Sequence, residues 1–345
     1  IIDKRQDNGT EIVRFHEEGE FLVMEKEYYK KEIQRVAELT KKTEGDFRFA
    51  VVADTHLDNS LPDTLENIKA VDENVHFRCL THLGDFMNGN IPEKYTKEIL
   101  KEQMEMFCES VGTGEFYPAE GNHDGYCDNA VHFSTDMAID EMWYESTLYL
   151  QEYKNLSRKK NKPYFYVDYP DEKIRMIFVC SFSYTFKDGV FHKIYDIDKE
   201  ELEWFKNEAI AVEKDWTVIL FSHDVPFESL SDDESPNVTK ENSIAMLKAL
   251  VDAKNSVGFE IAAWFIGHFH GDMIKVKDGI NFILVASETA YVPQLWSMVG
   301  SDGYFPERKL GTVTEDLWDS AILNRKDKTL TLIRFGAGED RKVSY

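Results

Sequence analysis

Phe47-Arg-Phe-Ala-Val-Val-Ala-Asp54-Thr-His56 is the stretch on which the reading of this chain turns. Apart from Arg48, the run up to Ala53 is apolar and rich in β-branched and aromatic side chains. It is too short for a helix and does not alternate, which is the pattern of a strand buried on both faces. It then stops at Asp54 and His56, a carboxylate and an imidazole that packing alone does not call for.

Working outward, the same arrangement recurs. A strand is expected over residues 75–80, ending near Gly84-Asp85, and a short one at Phe116 and Tyr117 runs into Gly121-Asn122-His123-Asp124. Residues 217–221 lead to Ser222-His223, and residues 261–266 to Gly267-His268-Phe269-His270. In α/β sheets, sites gather beyond the carboxyl ends of strands. Five segments far apart in sequence can therefore converge on one place. Gly84, Gly121 and Gly267 directly precede candidate ligands, where a missing Cβ lets the backbone turn and approach closely.

Imidazoles and carboxylates together suit ions such as Zn²⁺, Mn²⁺ and Fe. No cysteine lies in the five segments, which disfavours a closed structural zinc site. Cys79, Cys108, Cys127 and Cys180 show neither metal nor disulfide spacing, and Cys79 and Cys180 read as small core residues.

Between these segments, helices are expected over 28–42, after Ser60 (as N-cap, with Pro62 in the first turn), over 91–111, and from an Asp198/Glu201 capping box to about Lys214. Hairpins are expected at 164–168 with 174–180, at 273–277 with 280–286 across Asp278-Gly279, and at 320–323 with 329–335. Residues 125–160 read as an aromatic-rich excursion, and 287–315 as a long loop of the kind that carries function. Tyr126, Trp143, Tyr144, Trp296 and Tyr304 are candidates to wall a pocket there, or ordinary packing. No linker is found: residues 1–46 read as an N-terminal helical extension packed on the core, and 47–345 as one domain.

The 64 acidic and 40 basic residues give a formal charge of −24, which argues against long nucleic acids as partners. With 42% apolar residues a sizeable core can form, and no apolar run reaches the roughly eighteen residues of a membrane span. The chain starts at Ile1 without an apolar leader. A cytoplasmic location is expected, with export after removal of a leader as the alternative.

The five segments, in order, read D-x-H, G-D, G-N-H-D, H and G-H-x-H. This set resembles the calcineurin-like metallophosphoesterase family, and the resemblance spans Asp54 to His270. It implies a four-layer α/β/β/α sandwich with two facing mixed sheets, the C-terminal hairpin lying in the second sheet. It implies two transition-metal ions (Mn, Fe or Zn). One would be held by Asp54, His56 and His270, the other by Asn122, His223 and His268, and Asp85 would bridge them. The implied activity is hydrolysis of small phosphomonoesters or phosphodiesters by in-line attack of a metal-bridging hydroxide. His123 would be general acid, with Asp124 orienting it or holding its proton. The alternatives are a nuclease or nucleotide phosphodiesterase, and a non-catalytic scaffold of the same fold. His82 could stand behind the ligands and Asp58 could bond a ligand imidazole, but a packed or surface histidine and a solvated carboxylate are the plainer readings; Asp224 and Asp272 read as solvated or capping residues.

Overall fold

The computed structural model describes residues 2–7, 10–15, 27–89, 93–124, 139–187, 190–227, 240–290, 299 and 303–345. Two mixed sheets face each other. The first has the order Arg341–Ser344, Thr329–Gly336, Leu317–Asn324, Phe47–Val52, Cys79–His82, Phe116–Pro118. Its last three strands are parallel and the others antiparallel. The second has seven strands, in which Ile174–Phe178, Thr217–Phe221, Glu260–Ile266 and Ile280–Leu284 run parallel.

The pleat explains the opening stretch. Phe47, Phe49 and Val51 point into the core between the sheets, while Ala50 and Val52 face the helix layer outside. Both faces are covered, so the strand is continuously apolar. The inter-sheet core contains a row of rings across the second sheet: Phe165 on Phe178 at 4.6 Å, Phe178 on Phe221 at 4.6 Å, and Phe221 on Phe265 at 5.4 Å. Phe49 from the first sheet meets Phe221 and Phe265 edge-on at 6.0 and 5.8 Å, the geometry aromatic quadrupoles favour.

Helices Glu27–Lys42, Leu61–Val75 and Glu93–Glu109 cover the first sheet. Lys199–Trp204 and Glu241–Val257 cover the second, completing the four layers. Helix Glu27–Lys42 is tied down by Tyr28 and Tyr29 hydroxyls on Glu315 and by Arg35 on Asp340.

Several local expectations change. Helix Leu61–Val75 runs through residue 75 and ends at His76 in the left-handed region, so the next strand starts only at Cys79. Ser60 is already helical (φ −73°) and makes no side-chain cap. Asp198 caps as expected, accepting from the Glu201 N–H at 2.6 Å, but the Glu201 carboxylate turns instead to the Cys180 N–H. The helix after it widens to a π turn at Phe205–Ala209 and stops, because the Arg175 guanidinium takes the carbonyls of Glu208, Ala209 and Ala211. The C-terminal hairpin pairs with Phe47–Val52 and so lies in the first sheet, not the second. Asp278-Gly279 makes the expected tight turn, with φ of 52° and 72°.

The two sheets are joined at the seam near the C-terminus by four buried charges. Arg334 bonds both Asp272 (2.8 Å) and Asp319 (2.9 Å), and Arg341 bonds both as well. Asp272 is therefore neither solvated nor a cap: the two guanidinium groups outweigh its burial and hold it below its ordinary carboxylate value. Among the described residues no helix is long and apolar enough to cross a membrane.

Candidate metal centre

All five motif segments lie beyond the carboxyl ends of parallel strands, two from the second sheet and three from the first. Their backbones interlock. Asp54 N–H donates to Gly84 O at 3.0 Å, His56 N–H to Asp85 O at 3.0 Å, and Gly267 N–H to His223 O at 3.1 Å. The Ser287 hydroxyl bonds Asp54 O and the Glu288 N–H bonds Ala53 O, stitching one sheet's edge to the other's.

The backbone is strained where the side chains converge. Asp54, His56, Asp85, His268 and His270 all have positive φ, between 46° and 70°. Such conformations cost about 1–3 kcal/mol each and persist where function requires a direction that relaxed backbone cannot give. The close approach also explains two glycines. A Cβ on Gly121 would lie 2.0 Å from the Asp85 nitrogen, and one on Gly84 would lie 2.7 Å from Gly121.

Two groups of side chains have donor atoms all within 4.8 Å of one another: Asp54, His56, Asp85 and His270, and Asp85, His223 and His268. Asp85 belongs to both. Asn122 adds an amide oxygen 3.0 Å from His223 Nε2. The imidazoles are aimed by their other nitrogens: His56 Nδ1 lies 3.0 Å from Met87 O, and His223 Nδ1 lies 2.7 Å from Leu83 O. An N–H on each Nδ1 satisfies those carbonyls and turns Nε2 inward, as carbonyl partners of metal-binding imidazoles do.

The electrostatics fit a cation. Burial and the neighbouring Asp85 push Asp54 well up, with His223 opposing. Asp85 stays well below the usual carboxylate range, because His223, His123 and His56 overcome its burial. Burial lowers His56 to about 4 and His268 to about 3, so both keep a lone pair at neutral pH. His223 is driven the other way, to about 10, because Asp85 and Asp54 outweigh its burial. Two enclosed carboxylates demand positive charge between them, and a metal ion meets that demand while freeing Nε2 of His223.

His123 sits at the same edge, 27% exposed, with Nε2 3.8 Å from an Asp85 oxygen and its ring 5.2 Å from that of His56. Its main-chain N–H donates to Asp85 Oδ1 at 2.8 Å. The Asp124 carboxylate accepts four main-chain N–H groups, from Asp85 (2.9 Å), Phe86 (2.6 Å), Met87 (3.1 Å) and Gly121 (2.8 Å). It thus fastens the turn bearing Asp85 to the turn bearing Asn122 and His123. Burial and Asp85 raise it to about 7 against the pull of those backbone donors.

The other residues singled out from the sequence take defined places. His82 is buried, and its ring joins two ligand turns: Nδ1 accepts the Gly84 N–H at 3.0 Å, and Nε2 lies 3.1 Å from the Thr55 hydroxyl. Asp58 bonds Thr289. Asp224 forms a buried ion pair with Lys240. Trp143 and Tyr144 are buried and do not wall the site, Tyr304 pairs by backbone with Asp272, and Tyr126 and Trp296 lie outside the described residues. A cleft of about 490 Å³ opens beside His56, with Asp58, Asp63 and Glu315 on its wall. Sequence reasoning missed the strand pair Ser183–Lys187 and Val190–Ile194, whose far end reaches the opposite side of the site through Lys193 and Tyr195. It carries no motif, so nothing in the sequence singled it out.

Two mixed sheets between helix layers, with histidines and carboxylates gathered at one edge, make a metallophosphoesterase-like fold with a candidate metal site. The chain belongs to the calcineurin-like phosphoesterase family, whose model matches residues 47–272. A search of curated protein sequences returns no match. Among solved structures, the fold is similar to that of a dimetal phosphatase from Danio rerio, at 14% identity and a TM-score of 0.53, covering 88% of this chain and 100% of that one. It is also similar to GAP50, the anchor in the inner membrane complex of Plasmodium (11% identity, TM-score 0.48, 84% of each chain). A putative 5′-nucleotidase from Staphylococcus aureus matches at 12% identity and a TM-score of 0.42, covering 86% of this chain and 54% of that one.

Proposed function

We propose that this protein hydrolyses small phosphoesters with two transition-metal ions (Mn, Fe or Zn). Asp54, His56 and His270 hold one ion, Asn122, His223 and His268 the other, and Asp85 serves both. The observation that carries this reading is the membership of Asp85 in both ligand groups. One shared anion would offset the repulsion between two neighbouring cations. When bound, the ions supply Lewis acidity toward phosphoryl oxygens and a water activated for attack.

The chain's own residues do the rest. His123 stands beside the ligands on the side of the His56 cleft, where its Nε2 can hand a proton to the leaving oxygen. Asp124 acts as a positioning residue, fixing the turn that carries His123 through four backbone bonds. The cleft receives the alcohol portion of the substrate, and its carboxylates repel polyanionic leaving groups such as oligonucleotides. Residues 47–345 act as one catalytic unit, with helix Glu27–Lys42 packed on its outside.

The test is a panel of phosphomonoesters and diesters assayed with Mn²⁺, Zn²⁺ and Fe²⁺ separately. Metal-dependent release of the alcohol from at least one ester class is expected. No hydrolysis with any ion would overturn the enzymatic reading and leave a non-catalytic scaffold.

A further inference from the structure

The strand pair Ser183–Lys187 and Val190–Ile194 belongs to neither large sheet. Where it leaves its second strand it passes over the metal-binding edge. Lys193 Nζ donates to the main-chain oxygen of Asn122 at 2.7 Å, placing an ammonium on the backbone of a candidate ligand residue. The Tyr195 ring, 5.7 Å from that ammonium, lies 6.1 Å from the His268 ring. Phe182, at the same open end of the pair, just before Ser183, packs on Tyr195 at 5.3 Å and on His223 at 5.9 Å. The rim over Asn122, His223 and His268 is therefore a cation backed by two aromatic rings. The rim over His56 is the opposite: a cleft bearing Asp58, Asp63 and Glu315.

A site with charge so divided orients what enters it. A phosphoryl group drawn to the ammonium would leave its ester oxygen on the side of His123 and the cleft. The chain as a whole carries −24, so a dianion approaches against the overall field and needs a local cation. A phosphomonoester brings one more negative oxygen than a diester, and that oxygen is the one a further cation can take up. In a diester the same position is esterified and uncharged.

We propose that Lys193 is the phosphate-recognising cation of this site and that it selects phosphomonoester dianions over diesters. This rests on the phosphoesterase reading above. The bond to Asn122 fixes where the ammonium stands, and Tyr195 and Phe182 hold the rim against which it lies. Lys193 recognises the substrate's charge; it is not a metal ligand.

The experiment compares wild type, Lys193→Met and Lys193→Arg, each loaded with Mn²⁺. It measures metal per chain, kcat/KM on an aryl phosphomonoester and on the matching aryl diester, and binding of inorganic phosphate by calorimetry. Lys193→Met should keep its metal, lose roughly 10- to 100-fold in kcat/KM on the monoester, and lose about threefold or less on the diester. Its phosphate affinity should fall in step with the monoester loss, and Lys193→Arg should restore most of both. Equal losses on the two esters, unchanged phosphate affinity, or loss of metal in Lys193→Met would each overturn the proposal. If wild type hydrolyses neither ester, the phosphoesterase reading fails. The phosphate titration still decides whether Lys193 binds the anion.

Discussion

Asp124→Asn separates two accounts of the residue that follows His123. The substitution preserves volume and removes one acceptor oxygen. In the structure Oδ1 accepts from Phe86 and Met87, and Oδ2 from Asp85 and Gly121. Whichever way an asparagine is turned, its NH₂ faces two main-chain donors. Each buried donor left without an acceptor costs about 1–3 kcal/mol, so the variant should lose about 2–6 kcal/mol. With an unfolding entropy of about 2.1 cal/mol/K per residue over 345 residues, that corresponds to a drop of roughly 3–8 °C in Tm. The affected donors include the N–H of Asp85 itself, so metal content should fall with stability. Thermal unfolding followed by circular dichroism, with metal per chain from elemental analysis, gives both readouts. If Asp124→Asn keeps its Tm to about 1 °C and its full metal while turnover collapses, Asp124 acts on the His123 imidazole and the clamp reasoning is wrong.

Two further predictions address the acid and the sheet seam. His123→Gln should lower turnover roughly 10²–10⁴-fold while metal per chain stays at the wild-type value; metal loss in this variant would contradict its assignment as the acid. Arg334→Met leaves Asp272 and Asp319 with Arg341 alone, and should cost about 3–5 kcal/mol in urea unfolding at pH 7. Asp272 is depressed in the folded state, so its stabilisation is present above the ordinary carboxylate value near about 4 and is lost as pH falls through the lower folded value. The gap between wild type and Arg334→Met should therefore close in acid, and a gap independent of pH would rule out its electrostatic origin.

Most of the candidate site was legible because its chemistry is punctuated. Each turn bearing a candidate ligand follows an apolar run, and the order of the five segments singles them out before any geometry is known. The turns' tightness was legible too, through Gly84 and Gly121, whose absent Cβ atoms leave room for the neighbouring turn. What escaped was decided by partners distant in sequence. Asp272 looks like any loop carboxylate until Arg334 and Arg341 arrive from the other sheet. Asp224 looks solvated until Lys240 is folded against it. The capping box at Asp198 was half right because Glu201 found a stronger use on the Cys180 N–H. Lys193 has no pattern around it, and only the course of the chain brings it to Asn122.

The central claim is that one carboxylate, Asp85, holds two ions. Metal per chain, measured by elemental analysis on wild type and Asp85→Asn purified with the same ions present, tests it most directly. The account predicts two ions per wild-type chain and loss of both from Asp85→Asn, with hydrolysis lost in parallel. An Asp85→Asn protein that keeps two ions and full turnover would contradict it.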